Sequence, residues 1–342
     1  MSFRIRILFF VAFELMLFRA EAQDADTTGI PDEGEWQEKM SSKITVDLSL
    51  NNSFKAFEVK TSANKTLLYP NTPNNVRLNV SYEFLSLGIQ FAPDFLPGNG
   101  DEDQKGETSS FQIGSLLVLK HWFAEANYSR VKGFYLKNTL DFDPGWTDGD
   151  PYVQFPDLNY EGVSLSAGYI HNSRFSLRSL TMQTERQLKS VGSFMPVFNI
   201  DHYVVNDKSA AINTQRSRNV ELNMGPGYVH TLVFQEQFYA SLGVFGGIGY
   251  LNTKLTTRTA SGNVVSNQDN LLWRGDCKAG IGFNGRKFYS ALFTSISGTT
   301  YRQENTTVKN TGTRVFYRFV VGMRFDAPKF LVNGMNKLKK AI

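Results

Sequence analysis

The chain has 342 residues, 36 basic and 32 acidic, for a formal net charge of +4; 41% are apolar, 13% aromatic and one is cysteine. This composition excludes a polytopic helical membrane protein, which reads far more apolar, and a disordered chain, which carries few aromatics. A single cysteine excludes a disulfide scaffold and a multi-cysteine zinc site, and the balanced charge gives no footing for a nucleic-acid groove.

Residues 1–22 have the pattern of a secretory signal. Arg4 and Arg6 lead into an apolar run from Ile7 to Phe18, blemished by Glu14. Ala20-Glu21-Ala22 then supplies a small-x-small pattern, so cleavage is expected after Ala22. The run is too short for a spanning helix, which needs roughly 20 residues. No cysteine stands directly after it, which argues against a lipid anchor. No later stretch is apolar for long enough to cross a membrane as a helix. Residues 23–42, rich in Asp, Glu, Gly and Ser, read as a flexible leader.

From Lys43 the texture changes to period two and holds to the end. Ile44, Val46, Leu48 and Leu50 alternate with Thr45, Asp47 and Ser49; Val76, Leu78, Val80 and Tyr82 alternate with Arg77, Asn79 and Ser81. The same pattern recurs over 238–250, 271–283 and 315–325. It predicts strands with one apolar and one polar side. Tight joins are expected at Leu85-Ser86, Lys120-His121, Asn172-Ser173, Gln235-Glu236 and Gly285-Arg286, and long polar ones at 62–74, 93–108, 136–157, 206–215, 253–268 and 302–309. Tight and long joins alternate, as in an up-and-down barrel with short turns at one rim.

Alternation alone does not separate a membrane barrel from a soluble sandwich. Strand length, the export signal and aromatics at the ends of apolar faces (Tyr82, Phe84, Phe238, Tyr250, Phe283, Phe325) favour the barrel. The expected fold is an all-β, up-and-down transmembrane antiparallel barrel of about 12 strands over 43–326, with 10 or 14 as alternatives. The stretch 174–205 holds two strand-like runs, 174–184 and 190–204, and is too long for one crossing. Either part of it folds into the lumen or extends beyond the bilayer, or 43–61 is a hairpin and the count is fourteen. Residues 327–342 form a basic tail with Lys337, Lys339 and Lys340.

A series of short motifs in fixed order resembles a known family. The series starts at Leu68-Tyr69-Pro70-Asn71 and runs through Val80-Ser81-Tyr82, Lys105-Gly106-Glu107-Thr108 and Val131-Lys132-Gly133-Phe134-Tyr135-Leu136. It continues with Arg174-Phe175-Ser176-Leu177-Arg178, then Gln187-Leu188-Lys189-Ser190-Val191-Gly192-Ser193-Phe194, and closes at Val321-Gly322-Met323-Arg324-Phe325-Asp326-Ala327-Pro328-Lys329. This order is similar to that of the Bacteroidota outer-membrane family called domain of unknown function 4421. The chain departs from the family near 78–88, and its acidic loop 99–107 is its own. The resemblance implies an outer-membrane barrel with no assigned activity and carries over no catalytic residue.

Searching for chemistry yields no expected catalytic, cofactor or metal residue. His121, His171, His202 and His230 have no partners at ligand spacing. Nothing places a base beside a nucleophilic serine. The acids at 101–107 and 141–150 read as solvated outer loops. The physically motivated positions are the charges on polar strand faces: Arg77, Glu83, Glu125, Arg178, Glu221, Arg274, Asp276, Lys278, Arg318 and Arg324. They are expected to point into the lumen, because a charge on the lipid face is costly. They either line a pore or plug a narrow barrel.

The functional expectation is an integral outer-membrane barrel with a structural, small-solute pore or surface-interaction role, not an enzyme and without a cofactor. Expected partners are outer-membrane lipid and lipopolysaccharide, plus the barrel assembly machinery during insertion; no nucleic acid is expected. Phe325 and Phe330 resemble an aromatic assembly signal. A barrel enzyme acting on lipid or peptide and a secreted soluble β-sandwich remain as alternatives.

Overall fold

A computed structural model describes residues 33–53, 56–60, 65–209, 214–302 and 309–341. The signal sequence and its cleavage point, and the leader up to residue 32, lie outside the described residues. In chain order the strands are β1 (Gln37–Lys39), β2 (Lys43–Asn51), β3 (Phe57–Lys60), β4 (Lys65–Tyr69), β5 (Asn75–Tyr82) and β6 (Leu85–Phe91). Next come β7 (Ser109–Val118), β8 (Trp122–Leu136), β9 (Gln154–Tyr169), β10 (Glu185–Gln187), β11 (Val191–Phe194) and β12 (Val197–Asp207). The remainder are β13 (Gln215–Gly225), β14 (Gly227–Phe234), β15 (Phe238–Thr259), β16 (Gly262–Asn284), β17 (Phe288–Arg302) and β18 (Lys309–Asp326). The helices are α1 (Glu102–Lys105), α2 (Arg178–Thr181) and α3 (Lys329–Ala341).

Antiparallel pairing runs β15-β13-β12-β9-β8-β7-β6-β5-β2-β18-β17-β16, and β16 pairs back onto β15. The result is a closed ring of twelve staves. Two staves are interrupted by proline, which has no N–H for the ladder. β11 and β12 are one stave broken at Met195-Pro196, and β13 and β14 one stave broken at Pro226. The pairs Val191↔Thr231 and Val197↔Gly225 keep a single register across both breaks. The carbonyls of Pro196 and Pro226 still accept from Tyr169 and Gly246, at 3.1 Å each.

Outward-facing side chains are apolar and exposed: Val244 is 51% exposed, Phe319 47% and Ile281 60%. Arg318 and Lys278 lie one step along from such residues and so face the interior. Apolar exterior and polar interior invert a soluble sandwich, so that alternative is overturned. A closed barrel with such an exterior satisfies its backbone internally and is the β form able to cross a bilayer. At about 3.3 Å per residue and a tilt near 40°, the stretch Phe238–Tyr250 rises about 30 Å, one hydrocarbon thickness.

Several expected boundaries move. The stave predicted over 43–61 ends at Asn51, and a separate hairpin, β3–β4, follows. The expected loop 253–268 is instead the far end of a long hairpin, because β15 and β16 stay paired from Phe238↔Phe283 to Thr259↔Gly262. The leader is ordered at its end: β1 pairs with β10. Asn172-Ser173 is not a tight hairpin but the start of an inserted segment, 172–190, and only β11–β12 of the long 174–205 stretch crosses the wall. Tyr82 and Phe84 are not part of an exposed aromatic girdle; they are buried beneath α3.

Candidate functional site

The staves deliver every second side chain to the lumen, which has three levels. At the tight-turn rim the segment 172–190 folds inward. Its Phe175, Leu177, Leu180 and Met182 pack with Val118, Phe123, Val191 and Val229 on one arc of the wall. Leu180 also packs against the cluster of Tyr239, Tyr289, Ala291 and Val320 on the opposite arc. The segment therefore bridges the lumen from wall to wall.

Hydrogen bonds stitch this plug to the rim. Arg324, 3% exposed, donates through Nε and one terminal nitrogen to the Gln183 carbonyl at 2.9 and 2.6 Å, and to Asn284 Oδ1 at 2.6 Å. Its other terminal nitrogen reaches the Gly285 carbonyl. Arg186 pairs with Glu38 and donates to the Asn284 and Glu236 carbonyls at 2.7 and 2.8 Å. Arg178 donates to the Val118 carbonyl at 2.6 Å and pairs with Glu185 at 3.0 Å. Thr45 and Thr184 hydroxyls donate to the carbonyls of Met182 and Glu83 at 3.0 and 2.6 Å. Charge-assisted bonds to otherwise orphaned carbonyls are the strong kind, and each is short here.

At mid-height four adjacent staves, β5, β2, β18 and β17, converge on Asp47. Asn79 donates to its carboxylate at 2.7 Å, and Tyr289 and Arg318 do so at 3.3 Å. Arg77 donates to Asn79 Oδ1 at 2.8 Å. Gly322 is required beside Tyr289, since a Cβ there would overlap the ring. Further round, Asn127 donates to Glu125 at 2.8 Å and accepts from Gln112 at 3.2 Å. On the far arc Ser166, Asn199, Asn223 and Glu221 form a chain, and Arg274 pairs with Asp276 at 3.0 Å.

At the long-loop rim, β4 crosses over to pair with β8 through Leu68↔Leu136 and Tyr69↔Tyr135. This carries Phe57 and Leu68 onto Val131, Phe134, Tyr160 and Tyr203. A bulge makes room: Gly133 has φ +88°, the register shifts between Lys132 and Phe134, and Phe134 swings to the inner face. Outside this rim, loops 92–108 and 137–153 join into one lobe. Tyr152 N–H and the Gln154 carboxamide both donate to the Gln104 carbonyl, at 2.8 and 3.2 Å. Within the lobe Trp146 lies 4.8 Å from Tyr152, which lies 5.0 Å from Tyr135. The Thr147 hydroxyl and amide bond Asp150 at 2.6 and 2.9 Å and hold its carboxyl below the ordinary aspartate range. That support is present above the usual carboxylate pKa and is lost as pH falls through the lowered value.

The expected inward charges divide as follows. Arg77, Glu125, Glu221, Arg274, Asp276, Lys278, Arg318 and Arg324 sit on inner positions of staves by register. Lys278, beside Gly243 and Ser295, is exposed, so part of the interior there stays open to solvent. Glu83 and Arg178 are corrections. Glu83 occupies the β5–β6 turn at φ +52°, and Arg178 belongs to α2 of the plug. With Lys39, Ser41, Phe84, Thr184 and Glu185 these two line a cavity of about 210 Å³ at the rim. The central Asp47 and the plug's Glu185 and Arg186 were not singled out by sequence. Asp47 shows the same inward parity as Arg77 and was legible; the other two lie in a stretch without any period.

The histidines are dispersed. His121 Nδ1 meets the Ile170 carbonyl at 2.9 Å, and His202 Nδ1 the Asn219 carbonyl at 3.1 Å. Among the described residues no group of three or more His, Cys, Asp or Glu is placed to hold a metal.

A family model described as a domain of unknown function, DUF4421, matches residues 31–325. No curated protein matches the chain. Among solved structures, the outer membrane protease OmpT from Escherichia coli is 8% identical at a TM-score of 0.32, over 84% of this chain and 98% of that one. OmpT, an outer membrane protein of Vibrio cholerae, is 7% identical at 0.32, over 83% and 96%. The translocator domain of autotransporter NalP from Neisseria meningitidis is 8% identical at 0.27, over 92% and 96%.

Proposed function

The chain belongs to the DUF4421 family, and on that premise we propose that it is an integral outer-membrane barrel, closed at rest, that serves as a surface-interaction scaffold rather than a standing pore. The observation that carries this reading is the plug: residues 172–190 reach both arcs of the wall, with Leu180 packed on each. The long-loop rim supports the surface role. Its lobe carries Asp94, Asp101, Glu102, Asp103 and Glu107 against Lys105, and Asp141, Asp143, Asp148 and Asp150 against Lys137, on a chain of net charge +4. A field of one sign on ordered loops favours cationic partners. The reading includes export through a cleaved signal, contact with outer-membrane lipid and lipopolysaccharide, insertion by the barrel assembly machinery, and no catalysis.

Conductance across planar bilayers tests the closure. The native chain is expected to be silent, and a variant in which 177–188 is replaced by a short Gly/Ser linker is expected to conduct steadily. Heat-modifiable gel mobility checks that both chains fold as barrels. Steady conductance by the native chain overturns the closed reading. A gated path is the second reading, favoured by the solvent-exposed interior beside Lys278; brief native openings in the same recordings would support it.

A further inference from the structure

We propose that α3 is an interfacial helix, lying at headgroup level on the tight-turn side and binding anionic phospholipid headgroups. This rests on the membrane-barrel reading above.

The first observation is which side of the wall α3 occupies. Its Leu331, Val332 and Met335 pack on Tyr82, Phe84, Leu117, Leu119, Ile44 and Leu85. Ile44↔Tyr82, Tyr82↔Leu85 and Leu85↔Leu117 are directly opposed pairs across four neighbouring staves, so they share one face. Further along the same face stand Leu48, Leu87 and Ile113, which are exposed. That is the outer, lipid-side face. α3 therefore lies against the outside of the barrel and not under its mouth. The Ala327 N–H donates to the Ser42 carbonyl at 2.9 Å and pins the start of the helix to the start of β2.

The second observation is what α3 turns away from the wall. Lys329, Asn333, Asn336 and Lys337 are exposed and follow helical spacing along one stripe, beside Phe330, which is 72% exposed. No acid occurs after Asp326, and the sequence adds Lys339 and Lys340. A stripe of lysine and asparagine on the lipid side of a barrel cannot face acyl chains; it is tolerated only near the interface. This fixes the depth of α3. Trp122, Phe288 and Phe325 mark the same level as an exposed aromatic belt on the tight-turn rim. Lysines on one side and an unburied phenylalanine between them match an anionic headgroup layer, with phosphate taking the ammonium groups and the ring entering the acyl boundary.

Spin labels on single cysteines test this in the full chain carrying Cys277→Ser. Labels are placed at Phe330, at Asn336 and at the stave residue Ile281, in phosphatidylethanolamine vesicles with and without phosphatidylglycerol. The label at 281 is expected to be oxygen-accessible, the label at 330 intermediate, and the label at 336 accessible to a polar relaxant. A variant with Lys329, Lys337, Lys339 and Lys340 all changed to Gln is expected to keep its heat-modifiable fold. Its retention of phosphatidylglycerol through detergent extraction should fall at least about fivefold. Water-like behaviour at 330 with lipid-like behaviour at 281 overturns the helix proposal and leaves the barrel reading standing; water-like behaviour at 281 overturns both. Undiminished phosphatidylglycerol retention in the lysine variant also overturns the proposal.

Discussion

Arg324 shows how one side chain serves two levels of structure. It sits on β18 in the wall, yet its donors go to the plug carbonyl of Gln183 and to the rim at Asn284 and Gly285. Arg324→Met keeps the bulk and leaves those buried acceptors unmatched, so unfolding stability should fall by about 3 kcal/mol. The check is the urea midpoint in vesicles, read beside bilayer recordings, where the loosened plug should flicker open. Glu236 is a different case. With Gln235 it forms the β14–β15 turn, and both have positive φ, 49° and 57°. A non-glycine residue in that region costs about 1–2 kcal/mol, so Glu236→Gly should raise stability by about 1 kcal/mol in the same titration. The inward aim of Arg324 was legible from alternation alone. Its partners were not, because Gln183 is far away in sequence and arrives only when the inserted segment folds.

The elements divide by whether a period survives in them. Staves were legible because a wall between lipid and lumen imposes strict alternation on every residue. Val244 and Phe319 are outward for that reason. Val244→Arg should therefore cost about 2–4 kcal/mol, measured as the shift in the refolding midpoint in vesicles, while a polar change at the neighbouring inner positions should cost less. The plug had no such signature. Over Gln183-Thr184-Glu185-Arg186-Gln187 every residue is both buried and polar, since the surroundings are hydrogen-bonding on all sides. Neither alternation nor helical spacing arises there. The β15–β16 hairpin went the other way. It was expected to loop out from 253, but pairing continues with polar residues on both faces because the ribbon has left the hydrocarbon zone. Tyr250, bonded to Asp269, marks that transition.

For the whole molecule, the inside-out arrangement was readable and the occlusion was not. Composition and period two imply an apolar exterior around an enclosed polar space. Whether that space is open depends on contacts made by 172–190 and by β3–β4, which cross between staves far apart in the ring. An even ring has a further consequence. Its first stave begins, and its last ends, at the same rim, where Lys43 and Asp326 pair at 2.6 Å. Joining these two ends through a brief linker would leave the ladder intact, so the chain is a natural subject for circular permutation with new ends at Ser261. Tags placed at these two stave ends lie on the plug's side of the barrel, whereas an epitope spliced at that hairpin tip projects from the opposite side.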